Sequence, residues 1–85
     1  MDQGAFEVID AFSIEGRGVV LAGTLVSGAL KIGMKSMMSG KEISISSMEA
    51  ENKVIQEFNV SGNKVGVLVT GIGKADVIKG NLIFQ

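Results

Sequence analysis

The sequence predicts an all-β domain, a sandwich or a barrel, on two observations. Apolar residues recur with a period of two almost throughout its 85 residues, the signature of half-buried strands. Glycine-bearing turn signals also punctuate these runs at intervals of roughly 8–12 residues, the spacing of a β-sandwich or barrel.

In chain order, the first segment sets Phe6, Val8 and Phe12 on one face and Glu7, Ile9 and Ala11 on the other. Val19-Val20-Leu21-Ala22 and Thr24-Leu25-Val26 form a nearly continuous, β-branched second strand, as expected of one buried on both sides. Gly23 between its halves marks a bulge or sharp bend, where a residue without Cβ is needed. Ile43 and Ile45 alternate with serines, and Val65, Val67 and Val69 with Gly66, Leu68 and Thr70. Leu82-Ile83-Phe84 makes a last short strand. The intervening turns include Glu15-Gly16-Arg17-Gly18, Ser39-Gly40-Lys41, Ser61-Gly62-Asn63 and Lys79-Gly80-Asn81. Met48 to Glu57 is the best helical stretch, yet Val54, Ile55 and Phe58 suit a strand equally, so a loop leading into a strand is expected. A helical turn at Lys74 to Val77 is also expected.

Composition limits the chemistry. The chain has no Cys, His, Pro, Trp or Tyr, which removes thiol nucleophiles, imidazole bases, disulfides and zinc-finger sites. Acid–base work is left to carboxylates and lysines. A net charge of −1 does not suit a general polyanion binder, whose footprint is a strongly basic patch. The expectation is a non-enzymatic binding domain, residues 1–85, without cofactor or metal. The longest uncharged run, Gly18 to Leu30, falls short of the ~20 apolar residues that span a bilayer. Met1-Asp2-Gln3-Gly4 lacks the features of a signal peptide, so the expected location is cytoplasmic.

Phosphate and dinucleotide motifs fail. A P-loop through Gly40-Lys41 would need Gly where Lys35 stands and Ser or Thr where Glu42 stands. Gly71-Ile72-Gly73 meets Asp76, and Gly16-Arg17-Gly18 meets Leu21, where a third glycine is required. Glu49 and Glu51 share one face of a strand, and a solvated acidic edge outweighs a metal site there. Met34, Met37, Met38 and Met48 read as core filling before they read as an adaptable binding surface. Met37 and Met38 face opposite ways on a strand, which exposes one of them. Arg17, the single arginine, has two readings: a solvated cation in an ordinary turn, or a planar fork presented to a carboxylate or phosphate. Asp10 interrupts the first apolar face and is expected to pair with Arg17, a structural role.

Several dispersed segments, in order and at the right spacing, resemble the second domain of elongation factor Tu and related translational GTPases. They are Val8-Ile9-Asp10-Ala11-Phe12-Ser13-Ile14-Glu15-Gly16-Arg17-Gly18-Val19-Val20-Leu21-Ala22-Gly23, then Val26 to Gly33, Ser61 to Ile72 and Val77 to Leu82. The resemblance runs from about Phe6 to Ile83. It implies a small closed antiparallel Greek-key-like β-barrel of the translation-factor domain 2 type, acting in protein biosynthesis. The family barrel receives the aminoacylated end of tRNA or meets ribosomal RNA. The resemblance implies RNA or partner contacts at Gly16, Arg17, Gly18, Leu25, Glu49 and Asn52. Leu25 and Glu49 match the residues that hold the terminal adenine. Asn52 stands where the family has a basic residue, and Asn63 where it usually has Asp. GTP binding belongs to the family's separate GTPase domain, for which these 85 residues leave no room. The alternative is a protein-interaction module that docks on a separate GTPase domain or self-associates.

Overall fold

The computed structural model describes residues 3–85. Nine strands account for almost all regular structure: β1 (Gly4–Ile14), β2 (Gly18–Gly28), β3 (Leu30–Lys31), β4 (Lys35–Met38), β5 (Lys41–Ala50), β6 (Lys53–Ile55), β7 (Glu57–Phe58), β8 (Lys64–Thr70) and β9 (Gly80–Phe84). The expected helical turn is a 3₁₀ turn at Lys74–Asp76. The main sheet runs β4-β5-β8-β2-β1-β9, every pair antiparallel, with β6 added to β5. Placing β8 between β2 and β5 gives the Greek-key-like order implied by the resemblance. The ends of this sheet meet where Lys35 and Gln85 exchange N–H···O bonds of 2.8 and 2.9 Å, which closes the barrel. The small β3–β7 sheet sets Leu30 opposite Phe58, both buried.

The interior is apolar without exception: no buried polar or charged residue occurs among the described residues. Phe6, Leu21, Leu25, Leu30, Ile43, Val67, Val69 and Phe84 have no exposed surface. The rings of Phe6 and Phe84 meet edge to face at 6.4 Å, a geometry that suits the aromatic quadrupole. A core of this kind serves a chain with no disulfide or zinc to staple it.

Three register shifts interrupt the ladders: one between Ala5 and Phe6 leaves Val26 extra near the end of β2, and two β-bulges, in β1 and β5, change the simple alternation. In β1 the register with β2 jumps between Val8 and Asp10, leaving Ile9 as the extra residue. A bulge of this kind reverses the phase of every residue beyond it. Ala11 therefore turns inward at 5% exposure, while Phe12, expected on the core face, lies 51% exposed. In β5 the register with β8 jumps between Ile45 and Ser47, so Ser46 is extra. Its hydroxyl donates to the Leu68 carbonyl at 3.3 Å, and Met48 takes the next inward place.

Four other expectations change. The second strand is not buried on both sides: Val19, Leu21, Gly23 and Leu25 point inward, while Val20, Ala22 and Thr24 are half-buried on the outer face. Gly23 is not itself the bulge. It lies opposite the one in β1, so close that an added Cβ would sit 1.8 Å from the Glu7 carbonyl oxygen and 2.9 Å from the Phe6 ring. The stretch from Met48 to Glu57 is neither helix nor loop. It is the end of β5, a two-residue turn and β6, with Glu51 and Asn52 at φ of 53° and 64°, positive at both central positions as in a type I′ hairpin. Finally, Asp10 forms no ion pair with Arg17 among the described residues; its carboxylate accepts the Ala11 N–H at 2.8 Å. Of the methionines, Met34, Met38 and Met48 fill the core and Met37 is exposed, as the adjacent pair required.

Candidate functional site

The two bulges together build one outward face. Without the extra residue at Ile9, Ile14 would face the core; without Ser46, Glu49 would do so. With both, the pairing sets Phe12, Val20, Leu68 and Ser47 side by side across β1, β2, β8 and β5. The next row is Asp10, Ala22, Gly66, Glu49 and Val54. This surface carries the exposed aromatic Phe12, whereas Phe6, Phe58 and Phe84 are buried.

A groove of about 460 Å³ lies on this face, lined by Ile14, Arg17, Val20, Ser47, Met48, Glu49, Val54, Gly66 and Leu68. Its floor is aliphatic, and its charged lining residues are Arg17 and Glu49. The β1–β2 turn forms one side and β6 the other. The turn closes through the Arg17 N–H and the Ile14 carbonyl at 3.0 Å, with Gly16 and Gly18 at φ of 76° and 134°, conformations that favour glycine. An added Cβ at Gly18 would also sit 2.3 Å from the Val69 carbonyl oxygen. Gly18, next to Arg17, thus brings the start of β2 tight against β8.

A second groove of about 390 Å³ continues past Glu49 and Gly66 to Ile9, Ala22, Glu51, Asn52 and Lys64. Gly66 forms the low ridge between the two. A Cβ there would meet the Val20 side chain at 3.6 Å and the Glu49 carbonyl oxygen at 3.7 Å, ordinary contacts. The absence of a side chain at Gly66 therefore leaves space that the fold does not need.

Of the residues singled out in the sequence, Arg17 and Glu49 line the first groove, Gly16 and Gly18 flank Arg17 in the turn without lining it, and Asn52 joins Glu49 at the second. Leu25 does not join them. Its side chain is wholly buried, pointing to the core from the strand whose outward Val20 lines the groove. Ile14, Val20, Ser47, Met48, Val54, Gly66 and Leu68 also line the first groove and were not among those candidates. The signal that would have found Ile14 is the phase slip in β1, visible in the sequence only as Asp10 interrupting an apolar face.

Elsewhere, Asp76 accepts the Gly73 N–H and the Lys41 ammonium, each at 3.0 Å. Those contacts, the backbone N–H first, hold its carboxyl below the usual carboxylate range. Ser39 adds a bond to the Asp76 carbonyl at 2.6 Å, so the 3₁₀ turn is tied to the β4–β5 hairpin. The described residues contain no cluster of three or more acidic side chains able to hold a metal. No helix among them is long and apolar enough to cross a membrane.

The architecture is that of a small closed β-barrel with a grooved outer sheet. Among solved structures it is similar to translation elongation factor SelB from Methanococcus maripaludis, at TM-score 0.82 and 22% identity over 98% of this chain and 18% of that one. It is likewise similar to a bacterial selenocysteine-specific elongation factor, EF-Sec, at TM-score 0.82 and 23% identity over 99% of this chain and 15% of that one. The likeness is one of fold: the chain has a β-barrel fold found within translation elongation factors, as the sequence resemblance implied. It spans less than a fifth of either protein. No protein-family profile matches it.

Proposed function

We propose that this barrel is a non-catalytic, cytoplasmic binding module of the translation apparatus, and that its first groove takes the end of a single-stranded RNA such as tRNA. The observation that carries the reading is the groove itself: an aliphatic floor of Val20 and Leu68 between one guanidinium and one carboxylate. A flat base packs on such a floor. Glu49 is an acceptor and selects a ring edge that donates N–H, as an exocyclic amine does. Arg17 offers a planar fork to a neighbouring phosphate. The likeness of fold to two elongation factors supports a role in translation, and the −1 net charge supports a local contact over a broad electrostatic one. In this reading Val20 provides the apolar contact first assigned to Leu25, and Leu25 holds the strand from inside.

The test is a titration of the labelled protein with a 12-nucleotide single-stranded RNA ending in adenosine. The amides of Gly16–Gly18, Glu49 and Gly66 should shift while those of β4 and β9 stay in place. Shifts confined to β4 and β9, or none at all, refute the assignment. One observation favours the alternative of a protein-interaction module: Met37 on β4 is 57% exposed, outside both grooves. If Met37→Glu abolishes either self-association in sedimentation or binding to a separate GTPase domain, that reading prevails.

A further inference from the structure

The outer wall of the first groove is lightly anchored. From Glu49 to Glu57 no residue is fully buried; Ala50 and Ile55 pack half-buried against the core, and the fully buried anchors are Met48 and Phe58 at either end. β6 pairs with β5 alone and has no strand on its other edge among the described residues. Segments with few buried apolar contacts open locally at low free energy. Yet this arm carries Glu49 and Val54 of the first groove, and Glu51 and Asn52 of the second. Val54 is 74% exposed at the lip of the first groove.

The turn of the arm is strained. Glu51 sits at φ 53°, in a left-handed region where Asp and Asn are favoured over longer side chains. The first central position of such a hairpin turn ordinarily takes one of those residues or glycine.

We infer that the β5–β6 arm is a moving gate: it samples open positions in the empty protein and closes Val54 over the occupant of the first groove. The inference rests on the reading of that groove as the ligand site and adds how occupancy is controlled. Closure orders the arm, so part of the binding free energy is spent on it, and a pre-ordered arm binds more tightly.

Two variants at one position separate turn strain from charge. Glu51→Asp keeps the carboxylate and relaxes the turn; Glu51→Gln removes the charge and keeps the strained side chain. With native-state hydrogen exchange on the free protein, the amides of residues 50–55 should exchange faster than those of β2 and β8 in the wild type. Glu51→Asp should slow them about fivefold as the strain at this positive-φ position is relieved, while Glu51→Gln should leave them unchanged. The same factor should appear as slower dissociation of the adenosine-ended 12-mer from Glu51→Asp. If the 50–55 amides exchange only with global unfolding, or if the two variants behave alike, the gate is overturned. If the RNA binds none of the three proteins, the ligand assignment falls and the exchange rates alone decide the gate.

Discussion

Replacing Gly23 with alanine tests the closest approach in the barrel. The added Cβ would lie 1.8 Å from the Glu7 carbonyl oxygen, against the 3.4 Å at which ordinary contact begins, and 2.9 Å from the Phe6 ring. Relief requires β1 to move away from β2 by about 1.5 Å, a third of the normal inter-strand spacing. A shift of that size breaks about two ladder hydrogen bonds, each with a net value of about 1 kcal/mol. It also displaces Phe6 from its packing, a further ~1–3 kcal/mol. Alanine recovers about 0.5–1 kcal/mol through its better strand propensity, so the net loss is about 3 kcal/mol. An 85-residue domain has about 4–13 kcal/mol of stability in total, and the melting temperature should fall by about 12–24 °C. Gly66→Ala is the matched control: its Cβ makes only ordinary contacts, and stability should hold or rise by a few tenths of a kcal/mol. Urea and thermal unfolding followed by circular dichroism measure both. A Gly23→Ala protein within about 0.5 kcal/mol of wild type would refute the steric argument.

Four further outcomes follow from the same geometry. Phe12→Ser should cost less than about 1 kcal/mol in urea unfolding, whereas Phe84→Ala should cost about 3–5 kcal/mol; equal costs would mean that the bulge at Ile9 does not turn Phe12 outward. Glu49→Gln should weaken binding of the adenosine-ended RNA by about tenfold with little change in melting temperature, as loss of a charged hydrogen-bond acceptor does; calorimetric titration reads it. With one or two phosphate contacts at Arg17, the log–log salt slope of that binding should be about −0.7 to −1.4, and Arg17→Ala should flatten it. Asp76 has a depressed folded-state pKa, so its stabilising contribution is full above the unfolded carboxylate value of about 3.9 and is lost as pH falls through the folded value. Asp76→Asn should therefore flatten the acid limb of the stability profile, measured by urea unfolding as a function of pH.

The class of fold was legible because alternation is a local property. Val65, Val67 and Val69, Ile43 and Ile45, and Leu82 and Phe84 each declare an inward face without reference to anything distant. The bulges were not legible, since an extra residue is defined by its partner strand: Ile9 is surplus only against Gly23 and Ala22, and Ser46 only against Val69 and Leu68. For that reason Phe12 was read inward. Arg17 and Glu49, which line the first groove, were legible as candidates because the turn motif and the family resemblance mark them directly. Leu25 was assigned by position along a strand, and position alone does not say which face a side chain takes; its neighbour of opposite parity on that strand, Val20, lines the groove instead. The β5–β6 turn escaped notice because Glu51-Asn52 is not a standard hairpin pair, and the strain it carries is a property of the backbone.

The pairing of β1 with β9 sets Gly4 opposite Phe84, so the first and last strands are neighbours. The barrel can accordingly be circularly permuted: a short glycine-rich bridge from Gln85 to Gln3 with new ends opened at Ser61-Gly62, a solvent-exposed turn between β7 and β8, preserves every strand pair. A polypeptide attached at either side of the barrel would also depart from the same spot. Such a lobe can be spliced into a loop of a larger protein as easily as joined at its tip, and its grooved face would stay the same in either setting.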